Sequence, residues 1–297
     1  MSSGFAGMYP MLSVFFAADG TIDERALRRE VEAAIASGVQ GVAVMGLASE
    51  INKLSEAERR RVVEVVAEAV GGRCPLSVTV GENTPAGQIA FARAAVAAGA
   101  RWLVLQPPPA RDVSEASLVR FFGQVADALP VPLGIQNATQ YLGIGLSDQG
   151  LAALHRQHPN VAIVKVEDEP LAVARLIEAT GGALDVFLGR GGLGFIDCWR
   201  AGAVGFIPGF ECCDHLARAY GALIAGREAE AEAAYAAIEP AVVFLERSIN
   251  HFVTYAKEIA ARRLCLGPVH HRLGTDIPPF GHAIIARAAA RLGPFPT

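Results

Sequence analysis

The chain has 297 residues, with 52% hydrophobic and 19% charged residues, a formal net charge of −4 and a pI near 6.0. That apolar content can bury a large core, and a mildly acidic chain without a basic arm argues against nucleic acid as a partner. No uninterrupted apolar stretch reaches the roughly 18 residues of a membrane span, and the first residues lack the charged and apolar parts of a signal peptide. The five cysteines form no C-x-x-C pair, so reduced thiols, no zinc site and a cytoplasmic location are expected.

In chain order, short apolar runs alternate with longer helical patterns. The runs cover residues 8–16, 41–45, 76–80, 102–105, 133–136, 162–165, 186–188 and 204–208. Most are apolar at successive positions, as strands buried on both faces should be. Between them, apolar residues recur three and four apart over 23–37, 55–70, 85–98, 114–128, 147–157, 170–180, 192–201 and 213–225. Ser55 with Glu58 is a capping-box pattern, and Thr84, Ser114 and Ser147 suit N-caps. Glycines 38, 71, 99 and 202 close helices. Eight such repeats predict an α/β fold, a (β/α)8 TIM barrel over residues 1–226. Three helical patterns follow at 228–246, 251–265 and 280–292, predicting a C-terminal extension over 227–297 packed on the barrel as one structural unit.

Barrel active sites lie at the C-terminal ends of the strands. Lys165 is the sharpest residue there. The lysines are Lys53, Lys165 and Lys257 among 26 Lys and Arg, so Arg fills the basic surface positions, and a Lys within Val161-Ala162-Ile163-Val164-Lys165-Val166 is out of place. A free amine among apolar neighbours is the nucleophile that condenses with a ketone to an imine. The alternative is a lysine merely paired with Glu167 or Asp168. Gln136 and Asn137 orient groups but carry no proton at neutral pH. Glu167, Tyr141 and Glu211 are the proton-handling candidates. The Gly189-Arg190-Gly191-Gly192 run lets backbone approach a ligand, and Arg190 there could pair with a phosphate. Ile207 lies at the end of the last strand. His270-His271 has no third ligand nearby, so no metal and no cofactor are expected.

The chain resembles the dihydrodipicolinate synthase / N-acetylneuraminate lyase superfamily. Gly46-Leu47-Ala48-Ser49-Glu50, followed by Leu54-Ser55 and Glu58-Arg59, resembles the G-T-T-G-E segment and the helix start behind it. Ile163-Val164-Lys165 falls at the Schiff-base lysine, Leu105-Gln106-Pro107-Pro108 resembles the P-P-Y segment, and Tyr255-Ala256-Lys257 resembles a tail-helix segment. The departures are informative. Gln136 stands at the synthases' tyrosine, Leu47 and Ala48 at their threonines, Pro109 or Ala110 at a second tyrosine, and Tyr141 near an arginine. These departures argue against lysine biosynthesis. Ile135-Gln136-Asn137-Ala138 and Val164-Lys165-Val166-Glu167 are similar to I/V-Q-D-A-P and F-K-I-E of the 2-keto-3-deoxy-pentonate (L-2-keto-3-deoxyarabonate type) dehydratases, with Asn137 for Asp and Thr139 for Pro.

The resemblance implies a lyase that holds a small 2-oxo acid on Lys165, with dehydration of a 2-keto-3-deoxy sugar acid as the expected reaction. A pyruvate-dependent aldolase and a non-catalytic ligand-binding barrel are the alternatives. The carboxylate is expected at Ala48 and Ser49, with Tyr141, Gly189, Gly191, Ile207 and Glu211 around the rest of the substrate. The resemblance further implies a homotetramer built as a dimer of dimers.

Overall fold

The computed structural model describes residues 3–296. Eight parallel strands follow the chain: β1 (Gly7–Met8), β2 (Val42–Val44), β3 (Leu76–Val80), β4 (Ala100–Leu105), β5 (Leu133–Asn137), β6 (Val161–Val166), β7 (Asp185–Leu188) and β8 (Gly205–Phe206). They pair in the order β1-β8-β7-β6-β5-β4-β3-β2. A bridge between Met11 and Ala43 joins the two ends, so the sheet is a nearly closed (β/α)8 barrel.

The first and last strands are shorter than their apolar runs suggest. Pro10 and Pro208 have no N–H to donate, which interrupts the ladder there. Beyond the interruption the chain continues through single contacts, such as Met11 N–H to Pro208 O at 2.8 Å and Leu12 N–H to Ala43 O at 2.8 Å.

The helices follow the caps. Glu56–Val70 starts at Ser55, whose capping box with Glu58 is complete. Pro85–Ala98 is capped by Thr84, Glu115–Asp127 by Ser114 and Asp148–Gln157 by Ser147. One helix starts later than its apolar pattern. The pattern begins at Gly192, but the helix is Phe195–Arg200. Gly191, Gly192 and Gly194 all have φ between 55° and 90°, a left-handed backbone that an α-helix cannot contain.

The helices Glu228–Leu245, Ile249–Arg263 and Pro279–Leu292 form the C-terminal extension. It is tied to the barrel by buried polar contacts. The Arg263 guanidinium donates to both carboxylate oxygens of Asp214 at 2.9 and 2.6 Å and to Glu211 O at 2.6 Å. The Tyr235 hydroxyl donates to Gly192 O at 3.1 Å. The Lys257 ammonium sits 2.5 Å from Glu50 Oε2.

A strand's side chains alternate between faces, and this places Lys165. Val164 and Val166 join the layer between sheet and helices. Ile163 instead points into the barrel, among Tyr9, Trp102, Val104, Phe187 and Ile207. Lys165, two residues on, shares that inward face at the C-terminal end. Tyr9 meets Trp102 edge-on at 5.4 Å between centroids, Trp102 lies 5.1 Å from Phe187, and Phe5 stacks on Trp102 at 5.8 Å. These rings fill the opposite end. Among the described residues no helix is long and apolar enough to cross a membrane.

Candidate active site

A small cleft opens at the C-terminal ends of the strands, where barrels of this kind place their sites. Lys165, Glu167, Tyr141, Arg190 and Glu246 supply its polar wall; Met11, Leu47, Ile207, Ile249 and Phe252 supply much of the apolar wall.

Lys165 and Glu167 are two residues apart at the end of β6 and both are buried. The Lys165 ammonium donates to Glu167 Oε1 at 2.6 Å and to Gln136 Oε1 at 3.1 Å. Gln136, on β5 opposite Lys165 in register, closes the triangle by donating its amide to Glu167 Oε1 at 3.1 Å. Glu167 Oε2 accepts the Arg190 backbone N–H, and the Glu167 carbonyl accepts from the Gln140 amide. The carboxylate is therefore held on several sides while one face of the amine looks into the cleft. The sequence left open a lysine that is nucleophilic or one merely paired; Lys165 is paired and also lines the cleft.

Gly189 lies beneath this carboxylate. A Cβ there would stand 2.3 to 2.5 Å from three atoms of the Glu167 carboxyl group. Gly191 has φ 55°, and a Cβ there would stand 2.4 Å from Glu246 Oε1 and 3.0 Å from the Phe252 ring. These two glycines are gaps that two carboxyl groups occupy.

Of the other residues singled out in the sequence, Ala48, Tyr141, Gly191 and Ile207 line the cleft. Ser49 does not: it is fully buried, its hydroxyl donates to Leu12 O at 2.6 Å and accepts from Met45 N–H at 3.1 Å, and its own N–H goes to Gly46 O. This hydroxyl is spent on folding the turn. Asn137 likewise faces away from the cleft; its amide binds both Leu146 N–H and Leu146 O at 3.0 Å, holding the loop after β5. Gly189 and Gln136 act beneath the wall.

Glu211 sits behind Gly209, whose added Cβ would stand 2.3 Å from Glu211 Oε2. Burial, then the nearby Glu246 charge, pushes its carboxyl up to about 8. The folded chain thus holds this proton more tightly than an unfolded chain, whose carboxyl titrates near 4.5. Folding takes up a proton between these values, so stability is lost as the pH rises through that window. Glu211→Gln should flatten the fall in urea midpoint between about pH 4.5 and pH 8; an unchanged slope would count against this proton.

Glu246 is the functional candidate missed in the sequence. It caps the C-terminus of the helix Glu228–Leu245 and brings a carboxyl from the extension into the cleft. The Tyr141 hydroxyl donates to Glu246 Oε2 at 3.2 Å. Burial, then the charge of Glu167, pushes the Glu246 carboxyl up to about 7. Burial and the same Glu246 push the Tyr141 phenol upward, so it stays a hydroxyl at neutral pH. A signal existed: a carboxylate at a helix C-terminus opposes the helix dipole and needs another reason to be there.

Residues 4–256 match the model of the dihydrodipicolinate synthetase family. The chain belongs to that family. The dihydrodipicolinate synthetase family includes curated relatives such as the 4-hydroxy-tetrahydrodipicolinate synthase of Pelobacter propionicus, 32% identical over 171 residues, 58% of this chain and 59% of that protein. Escherichia coli K12 YagE, which carries the provisional name of a 2-dehydro-3-deoxy-D-gluconate aldolase, is 30% identical over 175 residues, 59% of this chain and 57% of that protein. The matched stretch therefore spans under two thirds of these relatives' length. Among solved structures, YagE in complex with pyruvate superposes with a TM-score of 0.88 at 24% identity, covering 97% of this chain and 99% of that one. The 4-hydroxy-tetrahydrodipicolinate synthase of Methylacidiphilum fumariolicum SolV superposes with a TM-score of 0.87 at 22% identity, covering 97% and 96%. At these identities the superpositions establish the fold.

Proposed function

We propose that the protein is a Schiff-base lyase that dehydrates a 2-keto-3-deoxy sugar acid. The observation that carries this reading is the Lys165 amine at the cleft, 2.6 Å from Glu167 and 3.1 Å from Gln136. Glu167 takes a proton from the ammonium, the amine attacks the C2 ketone, and Glu167 returns that proton to the carbinolamine hydroxyl, which leaves as water. The iminium then acidifies C3, and Glu167 accepts the C3 proton to give an enamine. The substrate carboxylate lies toward Leu47 and Ala48, and the carbon chain runs toward Tyr141, Arg190 and Glu246. No bound metal or cofactor is needed for these steps.

Two features set the reading apart from dihydrodipicolinate synthesis. Leu47 and Ala48 carry no hydroxyl into the cleft, and Gln136, which cannot relay a proton, stands where the synthases have a tyrosine. The name of YagE favours a second reading, in which the iminium breaks C3–C4 instead, releasing an aldehyde and leaving a pyruvate enamine on Lys165. A homotetramer remains part of the proposal, and sedimentation at micromolar concentration tests it.

The deciding experiment is incubation with pyruvate and borohydride, then peptide mapping. A reduced adduct on Lys165 supports the imine. Absence of any adduct, with pyruvate and with longer 2-keto-3-deoxy acids, removes it and favours a non-catalytic barrel. Product analysis separates water loss from pyruvate release. Gly189→Ala tests the geometry of the pair. Its methyl group displaces the Glu167 carboxyl, so the trapping rate should fall about a hundredfold, the scale of a ~1 Å misplacement. A rate equal to wild type would show that Glu167 has no part in imine formation.

A further inference from the structure

We propose that Glu246, delivered by the C-terminal extension, is the acid that protonates the departing C4 oxygen, with Tyr141 as its positioning residue. This rests on the imine reading above and assigns the half of the reaction that Lys165 and Glu167 leave open. Glu167 is already bound to Lys165, Gln136 and the Arg190 backbone, so it is committed to the C2–C3 end. A hydroxide leaving from C4 needs a separate proton donor. Among the carboxyl groups that line the cleft, Glu246 is the second. Its Oε1 lies over Gly191, whose missing side chain makes room for it, and its Oε2 is held by the Tyr141 hydroxyl at 3.2 Å.

The groups facing Glu246 come from several elements. Glu167 and Lys165 act from β6, Arg190 from the turn after β7, Tyr141 from the turn after β5, and Glu211 from behind Gly209. Burial and the two carboxylates favour the neutral acid; Tyr141, Arg190 and Lys165 oppose it. The outcome is a carboxyl that titrates at about 7 and so carries a proton for donation near neutrality.

The step balances without any oxidant. Glu167 holds the C3 proton, the enamine electrons form the C3=C4 bond, the C4–O bond breaks, and the oxygen leaves as water with the Glu246 proton. A conjugated iminium remains on Lys165 for hydrolysis, and both carboxyls exchange protons with solvent before the next turnover. Aldol cleavage needs the reverse at that oxygen, a base that removes the C4 hydroxyl proton. A neutral Glu246 therefore disfavours cleavage of the iminium and favours water loss.

The test uses the full chain, pyruvate, and a panel of 2-keto-3-deoxy pentonates and hexonates that includes L-2-keto-3-deoxyarabonate. Three readouts are taken: borohydride trapping on Lys165, exchange of C3 hydrogens into D2O, and water loss. Glu246→Gln should keep trapping and exchange while lowering water loss about 100-fold or more, the usual share of a general acid. The wild-type kcat should fall above about pH 7, and the residual rate of Glu246→Gln should lose that limb. Tyr141→Phe removes a bond that stabilises the carboxylate and should move the limb to higher pH, a shift that does not depend on the glutamine variant folding. Water loss by Glu246→Gln close to the wild-type rate, with the pH limb intact, overturns the assignment. So does a wild type that exchanges C3 hydrogens but only cleaves C3–C4, or that turns over none of the panel. A wild type that traps no adduct at all instead overturns the imine reading on which the assignment stands.

Discussion

Lys165→Arg should abolish the borohydride adduct and lower turnover by about four orders of magnitude or more, on the scale seen when a catalytic nucleophile is removed. Arginine is the informative choice because it separates charge from nucleophilicity. A guanidinium keeps the positive charge beside Glu167, so the buried carboxylate is still paired, but it does not deprotonate and cannot form an imine. Lys165→Met removes both. The two variants should be equally inactive, and the methionine variant should be the less stable in urea. Residual adduct on another lysine in either variant, mapped by mass, would shift the chemistry to Lys53 or Lys257. Equal stability would mean that the Lys165–Glu167 pair contributes nothing to the fold.

The second large effect concerns stability. Lys257→Met should cost about 3–5 kcal/mol, the usual result of removing one partner from a buried ion pair. Lys257 is fully buried, 2.5 Å from Glu50 Oε2 and 4.6 Å from the centre of the Phe16 ring. Burial pushes the Glu50 carboxyl upward, but Lys257 and then Lys53 more than offset this and hold it below the usual carboxylate range. Without Lys257, Glu50 keeps only the more exposed Lys53 at 2.6 Å. Nearby Glu30 also loses a compensating charge; burial already pushes its carboxyl well upward despite the Ser13 N–H at 3.2 Å. Adding Glu50→Gln to Lys257→Met should restore a large part of the loss in urea unfolding. No recovery would show that Lys257 acts through its packing against Phe15 and Phe16 rather than through Glu50.

The barrel could be read from the chain because its signals are local. Each apolar run, cap and closing glycine acts within a few residues, and the capping box at Ser55 and Glu58 formed as its spacing demanded. Lys165 could be read because an inward-facing lysine in a dry strand contrasts with a surface served by arginine. The rest of the site depends on where hydrogen bonds end, which the chain order does not encode. Ser49 and Asn137 have the right chemistry at strand ends, yet Leu12, Met45 and Leu146 consume it. Glu246 is 81 positions from Lys165 and reaches the cleft only because the extension folds back over the strand ends. The Pro10 and Pro208 interruptions were visible as prolines, but apolar runs alone hid their effect on the ladder.

The ring cluster of Tyr9, Trp102 and Phe187, with Phe5 stacked beneath, has a bearing on the order of events at Lys165. It stoppers one end of the barrel, so all traffic uses the other. The water that hydrolyses the final iminium must enter by the route along which the expelled water departs, past Phe252 and Glu246. The keto acid product, still tethered to the lysine, is then the last species to leave. It competes with fresh substrate for a single amine, so the enzyme as proposed should be slowed by its own product in a strictly competitive manner.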